Sequence, residues 1–368
     1  MLYLLLKRCI SFVMTAVKGM KLTSGSLSSA FTTEVLRWYD ECGRDLPWRG
    51  MSDPYAIWLS EVILQQTRIQ QGRSYWERFM RRWPTVESLA AASEDEVLRE
   101  WQGLGYYSRA RHMHQAAKQI VGMGAFPSDY DAIRKLNGVG DYTAAAIASF
   151  AFGQAVAAVD GNVYRVLARA FGIETPINTT EGKKVFTMLA NQLLAKDRPA
   201  AFNQAMMDFG AVQCTPKSPV CVSCPLLEMC EAYRSERINQ LPVKLKKLTV
   251  KTRYFSYILI QCHGKIAVRR RPAGDIWQGL WEPYLVETPG KAGWEQVAKQ
   301  YGEWGRLTLL REDVRHVLTH RIIMGDFYLV EASVAPSLPD DYVWIDEESY
   351  DGYAKPRLIE IMLESLLK

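Results

Sequence analysis

The chain has 368 residues, 48% of them hydrophobic, which is enough for two or three domains with sizeable cores. Its 23% charged content is ordinary, and a net charge of +5 permits an acidic partner without demanding one. No apolar run reaches the roughly eighteen residues that a membrane-spanning helix needs, so no membrane partner is expected.

In Met1 to Lys21, Lys7 and Arg8 interrupt the apolar run, and no small-residue cleavage site of a secretory signal follows. The segment holds no acids, as in a mitochondrial presequence, but reads better as a frayed tail ahead of a start at Met14 or Met20; residues 1–28 are assigned to that tail. Phe31, Val35, Leu36 and Tyr39 predict a helix over 30–42. Leu46-Pro47-Trp48-Arg49 follows as an irregular aromatic and basic loop. Asp53-Pro54 opens a helix over 55–70, whose Trp58, Leu59, Val62, Ile63 and Leu64 surround Glu61. A helix carboxylate is exposed by default. Helices are predicted over 71–81, 85–91 and 94–101 and, after the turn Gly103-Leu104-Gly105-Tyr106-Tyr107, over 109–121.

Residues 135–165 organise the rest. A short helix over 129–135 runs into Leu136-Asn137-Gly138-Val139-Gly140, and an alanine-rich helix over 142–151 follows. Both glycines are able to take positive φ and admit a partner to the backbone, and the N–H groups of such a turn form an anion nest. An ordinary helix–helix connection explains the turn equally well. Asp160 follows an apolar run and precedes Gly161-Asn162; alone it reads as the N-cap of a helix over 163–171. Helices over 183–194 and 201–213 complete a half almost without strand period.

The most specific signal is Cys214-x6-Cys221-x2-Cys224-x5-Cys230. Four thiolates in this span are able to surround one metal centre, and Pro216, Pro219 and Pro225 stiffen the loops between them. Disulfides fit poorly without a secretory signal. By spacing alone, structural zinc stands ahead of an iron–sulfur cluster. Past Leu241-Pro242 a lysine-rich linker leads to predicted strands over 254–260, 265–269, 277–286, 314–320 and 326–332 and helices over 293–301 and 357–367, an α+β pattern.

LNGVG, followed about twenty residues on by Val159-Asp160, resembles the helix-hairpin-helix signature of DNA base-excision glycosylases, in which the aspartate is the essential carboxylate. The 6-2-5 cysteine spacing is similar to the [4Fe–4S] loop of the endonuclease III superfamily, which implies one cluster per chain. Segments 44–70, 101–111, 136–169 and 202–230 together resemble the MutY-type adenine DNA glycosylases, with a weaker match beyond 250. The implied multidomain fold is an all-α helix-hairpin-helix glycosylase core over 29–213, an iron–sulfur loop over 214–232, a linker over 233–252 and a C-terminal α+β Nudix-like domain over 253–368. The implied partner is double-stranded DNA with an 8-oxoguanine·adenine or guanine·adenine mispair. A monomer in a bacterial, nucleoid-associated cytoplasmic setting goes with it.

The resemblance also implies roles. Glu61, in Ser60-Glu61-Val62-Ile63-Leu64-Gln65-Gln66-Thr67, would be the general acid, and Gln66, beside Thr67, would insert next to the lesion base. Leu46, Trp48 and Arg49 would line the adenine pocket, Gln204 would contact the flipped adenine, and Tyr106 would wedge into the stack. Gly138, Val139 and Gly140 would hold the DNA backbone. Asp160 with Asn162 would be catalytic, Tyr142 would assist the aspartate, and Cys214, Cys221, Cys224 and Cys230 would hold the cluster. The C-terminal domain lacks the acidic Nudix repeat and should not hydrolyse nucleotides. Where the family reads 8-oxoguanine with Phe-Ser-His, this chain has Leu318-Thr319-His320, keeping the hydroxyl but not the aromatic.

The chemistry has an independent footing. Adenine leaves poorly unless protonated, and burial raises a carboxylic acid's pKa until it donates near neutral pH. The sugar becomes positive as the bond breaks, so a second, ionised carboxylate stabilises it or adds to it. Bifunctional relatives carry a Schiff-base lysine just past the hairpin glycine. Asp141-Tyr142 stands there instead, and Tyr164 stands where some relatives have a product-trapping lysine, which favours a monofunctional hydrolase. The alternatives are a bifunctional glycosylase/AP lyase of the endonuclease III type and a non-enzymatic DNA binder with a zinc module.

Overall fold

A computed structural model describes residues 24–245 and 250–366. Of the tail expected over residues 1–28, residues 1–23 lie outside the described residues, as does the middle of the linker, while 24–28 are helical and not a frayed tail. Helix α1 (Ser24–Cys42) begins earlier than its apolar face does, since each residue added to a formed helix gains a hydrogen bond. There follow α2 (Pro54–Leu64), α3 (Ile69–Arg82), α4 (Val86–Ala91), α5 (Glu94–Glu100), α6 (Ser108–Met123), α7 (Tyr130–Arg134), α8 (Asp141–Phe152), α9 (Gly161–Phe171), α10 (Thr180–Leu193), α11 (Pro199–Asp208) and α12 (Glu231–Arg234). The remainder is β1 (Lys251–Cys262), β2 (Lys265–Arg270), β3 (Trp281–Thr288), α13 (Trp294–Tyr301), β4 (Arg306–Val317), β5 (Arg321–Glu331), β6 (Tyr342–Asp346) and α14 (Arg357–Glu364). Two compact units divide the chain at Gln66/Thr67, at Lys118/Gln119 and at Lys246/Lys247.

In the first unit, Asp53 caps α2 by accepting from Tyr55 and Ala56 N–H, at 3.0 and 3.3 Å, and Pro54 supplies a preset first turn. The helix is buried from Tyr55 to Ile63. It packs on α8, where Ala144 to Ala148 are all buried. Small side chains let two helix backbones approach, and this brings Tyr142 to Glu61. Phe31 and Val35 of α1, Val166 and Leu167 of α9, Phe186 of α10 and Phe202 of α11 form the core. Each such burial contributes about 1.5–3 kcal/mol.

The helix predicted over 55–70 breaks. Gln65 turns extended and Gln66 takes φ +58°, while the Gln65 amide donates to Thr143 Oγ1 at 3.2 Å and ties the turn to α8. The helix predicted over 201–213 ends at Asp208, and Phe209–Gln213 is a wider π-type turn. Gly210 is needed there: a Cβ would come within 2.6 Å of the Asn162 Cβ.

In the second unit, α3 to α5 and the start of α6 join a mixed sheet of order β4-β5-β1-β3-β2-β6, in which only β1 and β5 pair in parallel. Strand period puts Phe255, Tyr257 and Leu259 on one face with Leu358 and Met362 of α14, and Ile258 and Ile260 on the other with Val297 and Tyr301 of α13. The sequence grouping of 67–118 with the other helices does not anticipate that this segment packs with the sheet. Arg270 pairs with Glu94 at 2.8 Å, and Arg111 donates to the Gln278 carbonyl at 2.6 Å. Strand β6 and the first half of β4 are not predicted because they are the sheet's edges, half-solvated and polar. The strand predicted from residue 277 starts at Trp281, and Trp277 lies in the preceding turn with φ +59°.

Candidate functional site

Burial sets up the first unit's chemistry. Glu61 is only 8% exposed, and its Oε2 accepts from the Tyr142 hydroxyl at 2.7 Å. Burial pushes its pKa up; the Tyr142 hydrogen bond and the Arg49 charge pull back part of the rise, nearby Asp160 adds to it, and the result is about 7. Tyr142 is pushed well above its usual range, mainly by burial, so its hydroxyl stays a neutral donor. The resemblance implied that this tyrosine assists the aspartate; its hydrogen bond goes to Glu61 instead, because α8 runs along α2.

Asp160 is the N-cap of α9, as the local reading had it. Oδ1 accepts from Asn162 and Val163 N–H, both at 2.8 Å, and Oδ2 accepts from Asn162 Nδ2 at 2.7 Å. Burial raises its pKa, and these donors, which favour the ionised form, hold the rise back. Asn162 Oδ1 in turn accepts from Arg165 Nη2 at 2.7 Å, and Arg165 Nε donates to the Cys214 carbonyl at 2.7 Å.

Arg49 Nη2 reaches Asp208 Oδ1 at 2.8 Å, and Nη1 donates to the Tyr39 hydroxyl at 2.7 Å, which donates to Gln204 Oε1 at 2.7 Å. Arg44 makes three further contacts to Asp208. Trp48 is buried, and Leu46 closes the loop by accepting from Arg49 N–H at 2.9 Å. Asp208, fully buried, and Tyr39 escaped the sequence reading. The only signal was an aspartate inside the apolar run Ala205-Met206-Met207-Asp208-Phe209, while Tyr39 looks like an ordinary core position.

At the hairpin, Gly138 has φ +73°, but Gly140 has φ −94° and needs no glycine for its backbone. A Cβ on Gly140 would meet nothing within 4 Å, so the open space faces outward. Val139 is buried, and its N–H reaches the Leu136 carbonyl at 3.1 Å. Gln66 is exposed.

The four cysteines line one cavity with Arg169. No disulfide joins any of the described cysteines. Burial, with the neighbouring thiols adding to it, pushes Cys221, Cys224 and Cys230 up, Cys224 to about 12. Arg169 Nη1 donates to Cys214 Sγ at 3.4 Å. Among the described residues no three Cys, His, Asp or Glu side chains converge closely enough to hold a single metal ion.

In the second unit, Thr319-His320 forms the tip of the β4–β5 hairpin, closed by Leu318 N–H to the Arg321 carbonyl at 2.8 Å. The Tyr106 hydroxyl lies 2.5 Å from Thr319 Oγ1, and Tyr106 has φ +49°. Arg109 lies over the Tyr106 ring and reaches Thr67 Oγ1 at 3.5 Å. The hairpin tip, the Tyr106 turn and the loop Asp275 to Gln278 line a cavity of about 510 Å³.

The sequence model of the HhH-GPD superfamily base excision DNA repair proteins matches residues 59–190, and that of the NUDIX domain matches residues 256–365. The adenine DNA glycosylase of Buchnera aphidicola subsp. Baizongia pistaciae is 33% identical over 296 residues, 79% of this chain and 83% of that protein. The Mus musculus adenine DNA glycosylase is 43% identical over 224 residues, 58% of this chain and 44% of that protein. The chain spans less than half the length of the plant and mammalian relatives it matches. Among solved structures, a thermostable thymine-DNA glycosylase superposes with a TM-score of 0.53 at 28% identity, over 58% of this chain and 99% of that one.

Proposed function

The chain belongs to the adenine DNA glycosylase family, and from that premise we propose that it hydrolyses the N-glycosidic bond of adenine mispaired with 8-oxoguanine or guanine in duplex DNA. The observation that carries the reading is the unequal treatment of two buried carboxyls. Glu61 has one hydroxyl donor and a pKa near 7, while Asp160 has three donors that favour its ionised form.

Glu61 then holds a proton near neutral pH and gives it to a ring nitrogen of adenine. Asp160 stabilises or covalently captures the positive sugar, and water completes the hydrolysis. Flipping the base costs a few kcal/mol, and Gln66 and Tyr106 offset part of this by filling the gap. Their left-handed backbones are strained, as wedge residues held by their surroundings can be. Arg49 and Gln204, tied through Tyr39, face the flipped base. Gly138 to Gly140 admit a phosphate, and Thr319 and His320 read the lesion. With Tyr142 in the place of a hairpin lysine and its hydroxyl on Glu61, the enzyme is monofunctional.

Four thiols on one cavity, with the 6-2-5 spacing of the resembled iron–sulfur loop, support a cluster in which each cysteine binds its own iron, where zinc would draw all four sulfurs to about 2.3 Å from one ion. A bound [4Fe–4S] cluster would fix the loop and its exposed Lys217 against phosphate. Four irons per chain in protein purified without air would support this; one zinc would exclude it.

The test is single-turnover cleavage of a duplex with one 8-oxoguanine·adenine pair, by wild type and Asp160→Asn, with and without alkali. Scission only after alkali, and lost in the variant, is expected. Scission without alkali would establish the glycosylase/lyase alternative. Tight binding without base loss would leave a DNA-binding relative.

A further inference from the structure

Six non-glycine residues among those described have left-handed backbone: Gln66, Tyr106, Glu236, His263, Trp277 and Asp313. His263 shares the β1–β2 hairpin turn with Gly264, Asp313 sits at a register shift in β4, and Glu236 follows α12, all places where such backbone is ordinary. Gln66 and Tyr106 are the two residues assigned above to the base stack. Trp277 remains, and for a bulky side chain this conformation is strained.

The strain is held from several sides. Leu280 N–H donates to the Trp277 carbonyl at 3.0 Å, and Gly279 N–H to the Arg271 carbonyl at 3.0 Å. Buried Arg271 donates to the Ile276 carbonyl at 2.9 Å and to Asp275 at 2.7 Å, and Arg253 grips the same Asp275 at 2.6 and 2.8 Å. Arg111 holds the Gln278 carbonyl at 2.6 Å. A strained residue fixed by this many partners points to a use for its side chain.

The half-buried ring of Trp277 lines the cavity that Tyr106, Leu318 and Thr319 also line. It meets Phe255 and His316 edge-on, at 6.4 and 5.7 Å between ring centroids. The hairpin tip offers aliphatic Leu318 and no aromatic at that position. Tyr106 is assigned above to the duplex stack and His320 to reading the lesion, so a flat purine resting on Leu318 and Thr319 has no aromatic face beside position 318. Resting on the reading of this cavity as the lesion-base site, we infer that Trp277 is the stacking surface for the oxidised purine. It stands in for the aromatic that position 318 lacks.

The test measures single-turnover adenine excision and duplex affinity for 8-oxoguanine·adenine against guanine·adenine. The proteins are wild type, Trp277→Leu, Trp277→Phe, Leu318→Phe and the Trp277→Leu/Leu318→Phe double variant, each with a thermal melt. With the oxidised purine and not guanine seated in this cavity, Trp277→Leu should lower the preference for 8-oxoguanine about tenfold, the scale of one base–aromatic stack. Trp277→Phe should keep most of the preference, and adding Leu318→Phe to Trp277→Leu should restore part of it. An unchanged preference in a Trp277→Leu protein that melts like wild type overturns the inference. If that variant does not fold, Leu318→Phe alone decides. Little change means an aromatic already stacks there; a tenfold gain means none did, and overturns the inference. A wild type without any preference for 8-oxoguanine sinks the reading of the pocket, and the inference with it; a preference that survives in Trp277→Leu sinks the inference alone.

Discussion

Glu61 lies in a helix buried from Tyr55 to Ile63, whereas Thr319 and His320 stand exposed at a hairpin tip over a cavity of about 510 Å³. The first region must alter proton affinity, and burial is the largest cause of the shift at both Glu61 and Asp160, so its groups sit on packed helices. The second must admit a flat base and judge it. Its walls are loops, and the loop that holds Trp277 is made rigid by ion pairs at Asp275. Chemistry here relies on burial, recognition on an open wall that does not give.

The sharpest way to break this contrast is at Asp160. Asp160→Asn keeps the cap geometry in outline and removes the charge, and should lower single-turnover adenine excision by at least about a thousandfold while duplex binding persists. A loss under tenfold would mean that burial tunes nothing essential there.

Glu61→Gln should follow with a loss of roughly a hundredfold. In wild type the rate should fall tenfold per pH unit above about 7, as Glu61 loses its proton, and Glu61→Gln should lack that limb. The same shift bears on stability. The folded pKa lies above the unfolded value of 4.5, so protonation favours the fold: the benefit is complete below 4.5 and is lost as pH rises through about 7. Glutamine has no such loss. Unfolding titrations should find Glu61→Gln gaining on wild type from pH 5 to pH 8, by on the order of 3 kcal/mol at the end. A constant difference would contradict the buried-acid account.

Asp208→Asn tests the packing behind the site. It leaves Arg44 and Arg49 without their shared carboxylate, and breaking such a buried pair costs about 3–5 kcal/mol of stability, readable in urea titration. Excision at a temperature where the variant stays folded should fall about tenfold, through the looser Arg49. Full stability would mean that the two arginines find water or other partners readily.

The same contrast separates what was legible in the sequence. The four cysteines announce a metal loop through their spacing, Asp160 read alone as an N-cap and was singled out by the resemblance, and the alanine run of α8 announces close helix packing. Glu61, by default an exposed helix carboxylate, was singled out by the resemblance of Ser60 to Thr67, and its apolar neighbours fit that role. Asp208, Tyr39 and Trp277 were not, since each depends on partners far away in the chain: Asp208 on Arg44 and Arg49, Tyr39 on Gln204, Trp277 on a loop pinned by Arg111 and Arg253. The break at Gln66 was hidden for another reason. Gln65 and Gln66 are good helix formers, and the amide bond to Thr143 overrides that preference. The sheet's edges, β4 and β6, carry polar residues that mask strand period.

The finest probe is Tyr142→Phe, because it separates two roles for one hydroxyl. In the structure that hydroxyl donates to Glu61 at 2.7 Å and opposes the upward push of burial. Removing it should move the alkaline limb of the pH–rate profile to higher pH by up to about one unit, the worth of one ordinary hydrogen bond. Near pH 6, where Glu61 is protonated either way, the rate should fall only a few-fold, from a less firmly oriented acid. If the hydroxyl served Asp160 instead, the limb would stay where it is and the rate would drop equally at every pH. The direction of the shift therefore decides which carboxyl Tyr142 serves.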